Sequence, residues 1–339
     1  MEKNSKIFLT GHRGMTGSAI HNLLQKEGYT NILTRTHAEL DLQNQAATNA
    51  FYEEHQPEVT ILCAAKLAGM FANIADPLSF IRNNLFIQSN VFDAAHRNGG
   101  KQLLFLGSSC IYPRNAPLPL KEESYLTGVP EPTNQSYAIA KIAGLELCLS
   151  HNAMLAKGHP GMQCRAIMPP NMYGVGEHFG EGSHALSGMI DRMHHAKLNT
   201  DAEFVVWGDG TAMREWMHVE DMATATLHAL TMEWPIDGSA PLFYNTGTGE
   251  ELSIKELALA IAKTIGYEGK MVFDPTKPGG MPRKCMDSSK FLATGWKPTI
   301  TLAEGLKKHY VYYLSLPENS ELRAGSRVIG KLFIGASSV

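Results

Sequence analysis

The chain of 339 residues is 44% hydrophobic and 19% charged, with a formal net charge of −3. That composition supports a sizeable core and excludes a disordered chain, and the near-neutral balance leaves no basic footprint for nucleic acid. No apolar run reaches the length of a membrane span, and the tail at 328–334 is too short to cross a bilayer. Five cysteines (Cys63, Cys110, Cys148, Cys164 and Cys285) show no Cys-x-x-Cys pairing. They read as reduced thiols of a cytoplasmic protein with no metal site. Residues 1–6 run straight into the first expected strand, so no signal peptide is expected.

In chain order, strands are expected at 7–9, 31–34, 59–63 and 102–106, with helices at 18–27 and 77–98. The alternation predicts an α/β fold, a Rossmann-type doubly wound parallel sheet over 1–172 with a return segment near 214–246. The strands at 59–63 and 102–106 are nearly all apolar, as strands covered on both faces are. The helix at 77–98 carries Phe80, Ile81, Leu85, Ile87, Val91, Phe92 and Ala95, an apolar set wider than one core stripe. Deep burial is the favoured reading of that width; the other is a second subunit, and hence a homodimer. From about Gly174 the alternation weakens, which predicts a smaller mixed α/β lobe over 173–315 and an extension at 316–339. The lobe shows a loop at 178–184 leading into a helix and a strand at 204–207 closed by Gly208-Asp209-Gly210. An amphipathic helix follows at 254–265, then a loop at 277–282.

Gly11, Gly14 and Gly17 stand between the first strand and the first helix, the context a dinucleotide fingerprint needs. Backbone there can approach a pyrophosphate, which the helix amino terminus stabilises. An NAD site usually carries an acid at the end of the second strand. Here Thr34-Arg35-Thr36-His37 has none, and Arg13 lies in the glycine loop itself. Cations at Arg13 and Arg35 suit the extra phosphate of NADP, so NADPH is the expected cofactor.

Tyr137 and Lys141 are one helical turn apart and share a face. A cation so placed is expected to lower the phenol's pKa and make it a proton donor to a carbonyl oxygen. Ser108 or Ser109, at the end of the strand at 102–106, stands where the same oxygen would bind. Cys110 has no role in simple hydride transfer, and an inert buried thiol is the commoner case. Its chemical alternative is proton transfer at a carbon beside a ketone, with His184, one of fourteen histidines, as candidate partner.

Gly11 to Ser18, Ala64-Ala65-Lys66, Phe105-Leu106-Gly107-Ser108-Ser109-Cys110-Ile111-Tyr112-Pro113 and Glu131-Pro132-Thr133-Asn134 add up to more than isolated motifs. With Tyr137-Ala138-Ile139-Ala140-Lys141, Val206-Trp207-Gly208, Met213-Arg214-Glu215 and His218-Val219-Glu220-Asp221, the chain resembles the extended short-chain dehydrogenase/reductases that modify nucleotide sugars. Within them it resembles the GDP-L-fucose synthase family, from about residue 6 to about residue 314. The resemblance implies NADPH-dependent conversion of GDP-4-keto-6-deoxy-D-mannose to GDP-L-fucose, by 3,5-epimerisation and then 4-keto reduction. Cys110 and His184 would be the epimerisation acid–base pair, and Ser108 would bind the C4 oxygen. Tyr137 would donate its proton, while Lys141 would hold the nicotinamide ribose. The resemblance sets Gly11, Arg13, Gly14, Met15, Gly17, Arg35, Ala64 and Lys141 at the cofactor. It makes the lobe at 173–315 mainly a GDP-sugar binder, with Asn171, Arg192, Trp207, Arg214 and Lys284 as contacts; the alternative for Trp207 is a core residue.

Departures from the family pattern are His37 and Asp191, where relatives often carry a base, Ala68 for glycine, Pro170 for threonine and Ser187 for proline. Two rivals stand beside this reading. A 4-epimerase or dehydratase using NAD would keep Tyr137 and Lys141 without needing Cys110. A non-catalytic nucleotide sensor of the same fold would commonly lose the tyrosine or the lysine.

Overall fold

The computed structural model describes residues 1–180, 183–276, 282–317 and 320–324, and the chain divides into two compact units. Glu181 and Gly182, positions 277–281 of the expected loop, and the apolar tail at 328–334 lie outside the described residues. The first unit comprises Met1–Met172, Glu215–Glu250 and Cys285–Thr299.

Short apolar runs in the first unit form β1 (Ile7–Thr10), β2 (Ile32–Leu33), β3 (Val59–Leu62), β4 (Gln102–Leu106) and β5 (Gln163–Met168). Their order is β2-β1-β3-β4-β5, with Tyr244–Asn245 at the far edge, and every pairing is parallel. β1 and β3 are buried along their whole length. Helices cover both faces: Phe8, Tyr52, Phe92 and Phe105 pack in one cluster, and Ile7, Leu9, Ile20 and Met222 in another. Chain order reverses at β1, with β2 on one side and β3 on the other, so this doubly wound Rossmann-type sheet opens its ligand crevice at their carboxyl ends.

The chain closes tightly at that crevice. Thr10 Oγ1 accepts from the N–H groups of Cys63 and Ala64 at 3.1 and 3.0 Å, fastening the end of β1 to the end of β3. Gly11 follows with φ +68°, and α1 (Met15–Lys26) starts from Gly14. A Cβ on Gly17 would stand 2.1 Å from the Gly11 carbonyl oxygen, so only glycine lets the helix pack against the loop.

The chain continues through α2 (Gln45–His55), α3 (Met70–Ala75) and α4 (Pro77–Arg97). Asp76 caps α4 by accepting from the Ser79 N–H, and Pro77 fits its first turn. α4 buries Phe80, Val91, Phe92 and Ala95 and half-buries Ile81, Leu85 and Ile87, while Leu78 and Phe86, outside that set, are 68% and 49% exposed. Its neighbour is α5 (Gln135–Ala156), where the Ala140 carbonyl accepts from Gln88 Nε2 at 2.7 Å. Among the described residues, no helix is long and apolar enough to cross a membrane.

The second unit comprises Tyr173–Arg214, Glu251–Lys284 and the chain from Ile300. It holds α6 (Ala185–Leu198), a parallel pair of strands, Glu203–Trp207 and Lys270–Asp274, and helices Ile254–Ile265 and Leu302–Ser315. Reciprocal capping boxes, Ser253 with Glu256 and Thr301 with Glu304, start those two helices. Along Glu203–Trp207 burial alternates, with Phe204 and Val206 inward.

The Gly17 contact is open to test. Gly17→Ala should lower stability by about 1–3 kcal/mol, the usual range for overpacking a site that cannot give. An unchanged melting temperature would show that the loop yields.

Candidate active site

Beyond β4 the chain turns through Gly107 into a single 3-10 turn, Ser109–Ile111. A Cβ at Gly107 would meet the Met168 sulfur at 2.1 Å, so the turn lies close against β5. Ser108 starts the turn, its Oγ accepting from the Cys110 N–H at 3.4 Å. The turn carries Cys110 against Tyr137 in a cluster with Phe80 and Ala138, flanked by Ala68 and Ala72. The methyl of Ala68 is therefore part of the packing around Cys110 and Tyr137.

The Ser108 hydroxyl acts on the Tyr137 phenol and favours its ionised form. Lys141, one turn along α5, is 5% exposed and donates from Nζ to the Leu106 carbonyl at 2.7 Å. Its Nζ lies 4.8 Å from the centroid of Phe105 and 5.8 Å from that of Tyr137. Ser108, Cys110, Tyr137 and Lys141 thus converge at the carboxyl end of β4.

The electrostatics correct one expectation. Burial pushes the Tyr137 phenol well above its ordinary value, and Cys110 adds to this, against a smaller opposing effect of the Ser108 bond. Lys141, whose ammonium donates to the Leu106 carbonyl, is not among the groups that shift it. Burial pulls Lys141 itself down to about 8. The phenol therefore stays protonated, which is the form that donates to a ketone oxygen.

A cavity of about 510 Å³ opens beyond β1, lined by Gly11, Arg13, Gly14, Arg35, His37, Asp41 and Ala64 among others. Met15 opens α1 behind it, and Gly17 keeps the loop closed. Arg35 is held in place: its guanidinium donates to the Thr34 carbonyl at 2.8 Å, contacts His55 Nε2 at 3.1 Å and lies over Phe51. A glycine cradle at a helix start and two guanidinium groups fit a phosphorylated dinucleotide. Sequence reasoning missed Asp41, which lines the same cavity and stands 3.6 Å from His37 Nδ1. Its signal was an acid four residues beyond His37.

In the second unit Gly174 and Gly176 adopt φ of 147° and 94° and turn the chain into Glu177, which is 5% exposed. Glu177 Oε1 lies 2.5 Å from Nδ1 of His184, whose side chain is 40% exposed. Burial alone would lower the His184 pKa, but the hydrogen bond and charge of Glu177 together outweigh it, and the net shift is upward. Glu177 was also missed. An acid seven residues before the histidine, across a glycine-rich turn, was its only trace in the sequence.

Trp207 is 46% exposed, so the core reading fails; strand alternation sets it on the outward face. The Arg192 guanidinium lies 5.0 Å from the centroids of both Phe204 and Trp207 and donates to the Val205 carbonyl at 3.0 Å. An arginine against an open indole offers charge and a flat apolar surface together. Arg214 and Lys284 are register partners on adjacent strands of this unit. Asn171 belongs to the first unit, where its Nδ2 donates to the Glu215 carbonyl at 3.1 Å.

A model of the NAD dependent epimerase/dehydratase family matches residues 7–240. GDP-L-fucose synthase 1 of Arabidopsis thaliana is 45% identical over 314 residues, which are 92% of this chain and 94% of that protein. The GDP-L-fucose synthase of Escherichia coli K12 is 42% identical over 314 residues, 91% of this chain and 96% of that one. Among solved structures, MlghC, a GDP-mannoheptose C4 reductase from Campylobacter jejuni with NADP bound, matches with a TM-score of 0.83 at 35% identity. That match covers 93% of this chain and 100% of the other. The chain belongs to the NAD dependent epimerase/dehydratase family, in the company of the GDP-L-fucose synthases it matches over nearly their whole length.

Proposed function

We propose that this protein converts GDP-4-keto-6-deoxy-D-mannose to GDP-L-fucose with NADPH, by 3,5-epimerisation followed by reduction at C4. The observation that carries this reading is the thiol of Cys110 packed against the Tyr137 phenol. Plain reduction, 4-epimerisation or dehydration has no use for that thiol. The names of the relatives support the substrate, and the NADP held by the C. jejuni reductase supports the cofactor.

The C4 ketone acidifies the hydrogens at C3 and C5. Cys110 and His184 remove and return protons on opposite faces of the ring, which inverts each centre in turn. Ser108 and Tyr137 hydrogen-bond the C4 oxygen and stabilise the charge that gathers there during each transfer. Bound NADPH supplies the hydride for C4. As C4 is reduced the Tyr137 O–H bond breaks and its proton joins the C4 oxygen, the Ser108 hydroxyl favours the phenolate left behind, and Lys141 holds the nicotinamide ribose. Arg192, Arg214, Lys284, Trp207 and Asn171 hold the GDP portion, the cations on the diphosphate. Arg13 and Arg35 take the cofactor's extra phosphate, with His37 adding charge when protonated.

We further propose a cytoplasmic homodimer, with no nucleic-acid or membrane partner. None of the five cysteines forms a disulfide, as a reducing compartment requires. Leu78 and Phe86 on α4, with Ile139 and Met154 on α5, keep large apolar side chains exposed that a second copy would cover. Sedimentation at micromolar concentration should give twice the chain mass; a single species at the monomer mass removes the dimer.

Two variants separate the chemical steps. With Cys110→Ser, entry of solvent deuterium at C3 and C5 should collapse while NADPH binding and the melting temperature hold. With Tyr137→Phe, exchange should persist and reduction should fall by about 10²–10⁴-fold. Full deuterium entry in the serine variant would remove the thiol from the mechanism. Cofactor choice is checked by Arg13→Ala, which should weaken NADPH about 10- to 100-fold, the loss of one hydrogen bond to a charged group, and spare NADH. Equal weakening of both would show that Arg13 does not read the phosphate.

A further inference from the structure

We infer that Glu177 is a positioning residue for His184, fixing the tautomer and orientation with which that imidazole meets the sugar ring. The inference rests on the function proposed above, in which His184 moves a proton at C3 or C5. It starts from the 2.5 Å contact between Glu177 Oε1 and His184 Nδ1. A carboxylate oxygen only accepts, so Nδ1 carries the hydrogen, and Nε2 on the opposite side of the ring is left to exchange a proton with a ligand. The exposures agree with that division: Glu177 is 5% exposed and the His184 side chain 40%, so the pair is closed at the acid and open at the imidazole.

A second observation separates this pair from an ordinary stabilising contact. Glu177 Oε2 is also buried and has no hydrogen-bond partner among the described residues. Burying a carboxylate with one oxygen unmatched is unfavourable for the fold, and an apolar or fully bonded side chain would stabilise this position better. The geometry nevertheless holds it. Gly174 and Gly176 set the approach through their left-handed backbone. Between acid and histidine, Phe179 stacks on His309 at 4.8 Å, and its N–H donates to the Leu322 carbonyl at 2.6 Å.

In the proton-delivering direction, the cationic imidazole gives the Nε2 hydrogen to a ring carbon. The N–H bond breaks, the enolate electron pair forms the C–H bond, and the neutral ring keeps its Nδ1 hydrogen on Glu177. The carboxylate goes on accepting from Nδ1, and a solvent proton restores the cation. Among the described residues, the charge acting on His184 is that of Glu177. The His184 pKa lies above its ordinary 6.5, so the stability this contact contributes is fully present below that pH and lost as pH rises through the raised value.

The test uses Glu177→Gln and Glu177→Asp in the full chain, with two readouts. The first is the NMR titration of the His184 ring, assigned with a His184→Asn control, which needs no substrate. It should midpoint above 6.5 in the parent protein, fall in the glutamine variant and recover in the aspartate variant. The second is deuterium entry at C3 and C5, which should fall about ten- to a hundredfold with glutamine, part of a full acid–base contribution. The substrate KM should stay level. A parent midpoint at or below 6.5, or a glutamine variant that leaves both titration and exchange unmoved, would overturn the role of Glu177. Absence of exchange in the parent protein would instead overturn the proposed function, and the titration would still decide whether Glu177 governs the ring.

Discussion

An ammonium almost without water, turned to one carbonyl, is the constraint around which the reacting centre is built. Lys141 Nζ donates to Leu106 O at 2.7 Å, which ties the middle of α5 to the last residue of β4. Among the described residues that carbonyl is its only hydrogen-bond partner, and an ammonium has three donors. Two remain for a ligand's acceptors. Because burial has already pulled the group down to about 8, a bound ligand that supplies acceptors also determines how firmly the charge is held. The same burial keeps Tyr137 as a phenol. Acid and cation are thus set in opposite directions by one property of the site, its dryness, and neither is set by the other.

The chemistry asked of the protein is divided between its two units. The first carries the hydroxyls, the thiol and the ammonium at the end of β4, and the cofactor cavity beyond β1. The second carries an imidazole governed by its own buried acid and a cationic, aromatic surface made by Arg192 and Trp207. This division suits an enzyme that must both reduce a ketone and move protons beside it. Reduction needs groups fixed against a rigid sheet.

How much of this was legible in the sequence depends on how local each feature is. Ser108, Cys110, Tyr137 and Lys141 were readable because a strand end and a single helix turn fix them. The glycine loop was readable for the same reason. The direction of the Tyr137 shift was not. It comes from burial among Phe80, Ala68 and Ala72, which reach the phenol only through tertiary packing, and the i, i+4 lysine does not offset it. The apolar width of α4 was legible as burial at Phe80, Val91, Phe92 and Ala95, but spacing shows which residues share a face and not what covers it. Return of Cys285–Thr299 to the first unit was equally hidden. It is secured by bonds from Leu120 N to Cys285 O and from Asp287 N to Leu120 O, both 2.8 Å, which join positions far apart in the chain. Trp207 is the opposite case: strict alternation in a five-residue strand was enough to call it exposed, had the period been followed to the strand end.

The two departures on α6 that bear most on substrate placement, Ser187 and Asp191, turn into the lobe. Ser187 is fully buried, with its Oγ 2.9 Å from His309 Nε2. Asp191 accepts from the Tyr313 hydroxyl at 2.9 Å, so both residues are matched to the helix Leu302–Ser315. Arg192, about 100° further round α6 by the helical pitch, lies over Phe204 and Trp207 instead. A carboxylate where relatives often carry a base would repel a diphosphate if it faced one, but here its partner is a buried phenol. Its remaining effect on the neighbour is favourable. Burial pulls the Arg192 guanidinium down, and the charge of Asp191 opposes that pull. The charge of Asp191 thus favours the protonated Arg192 rather than opposing it.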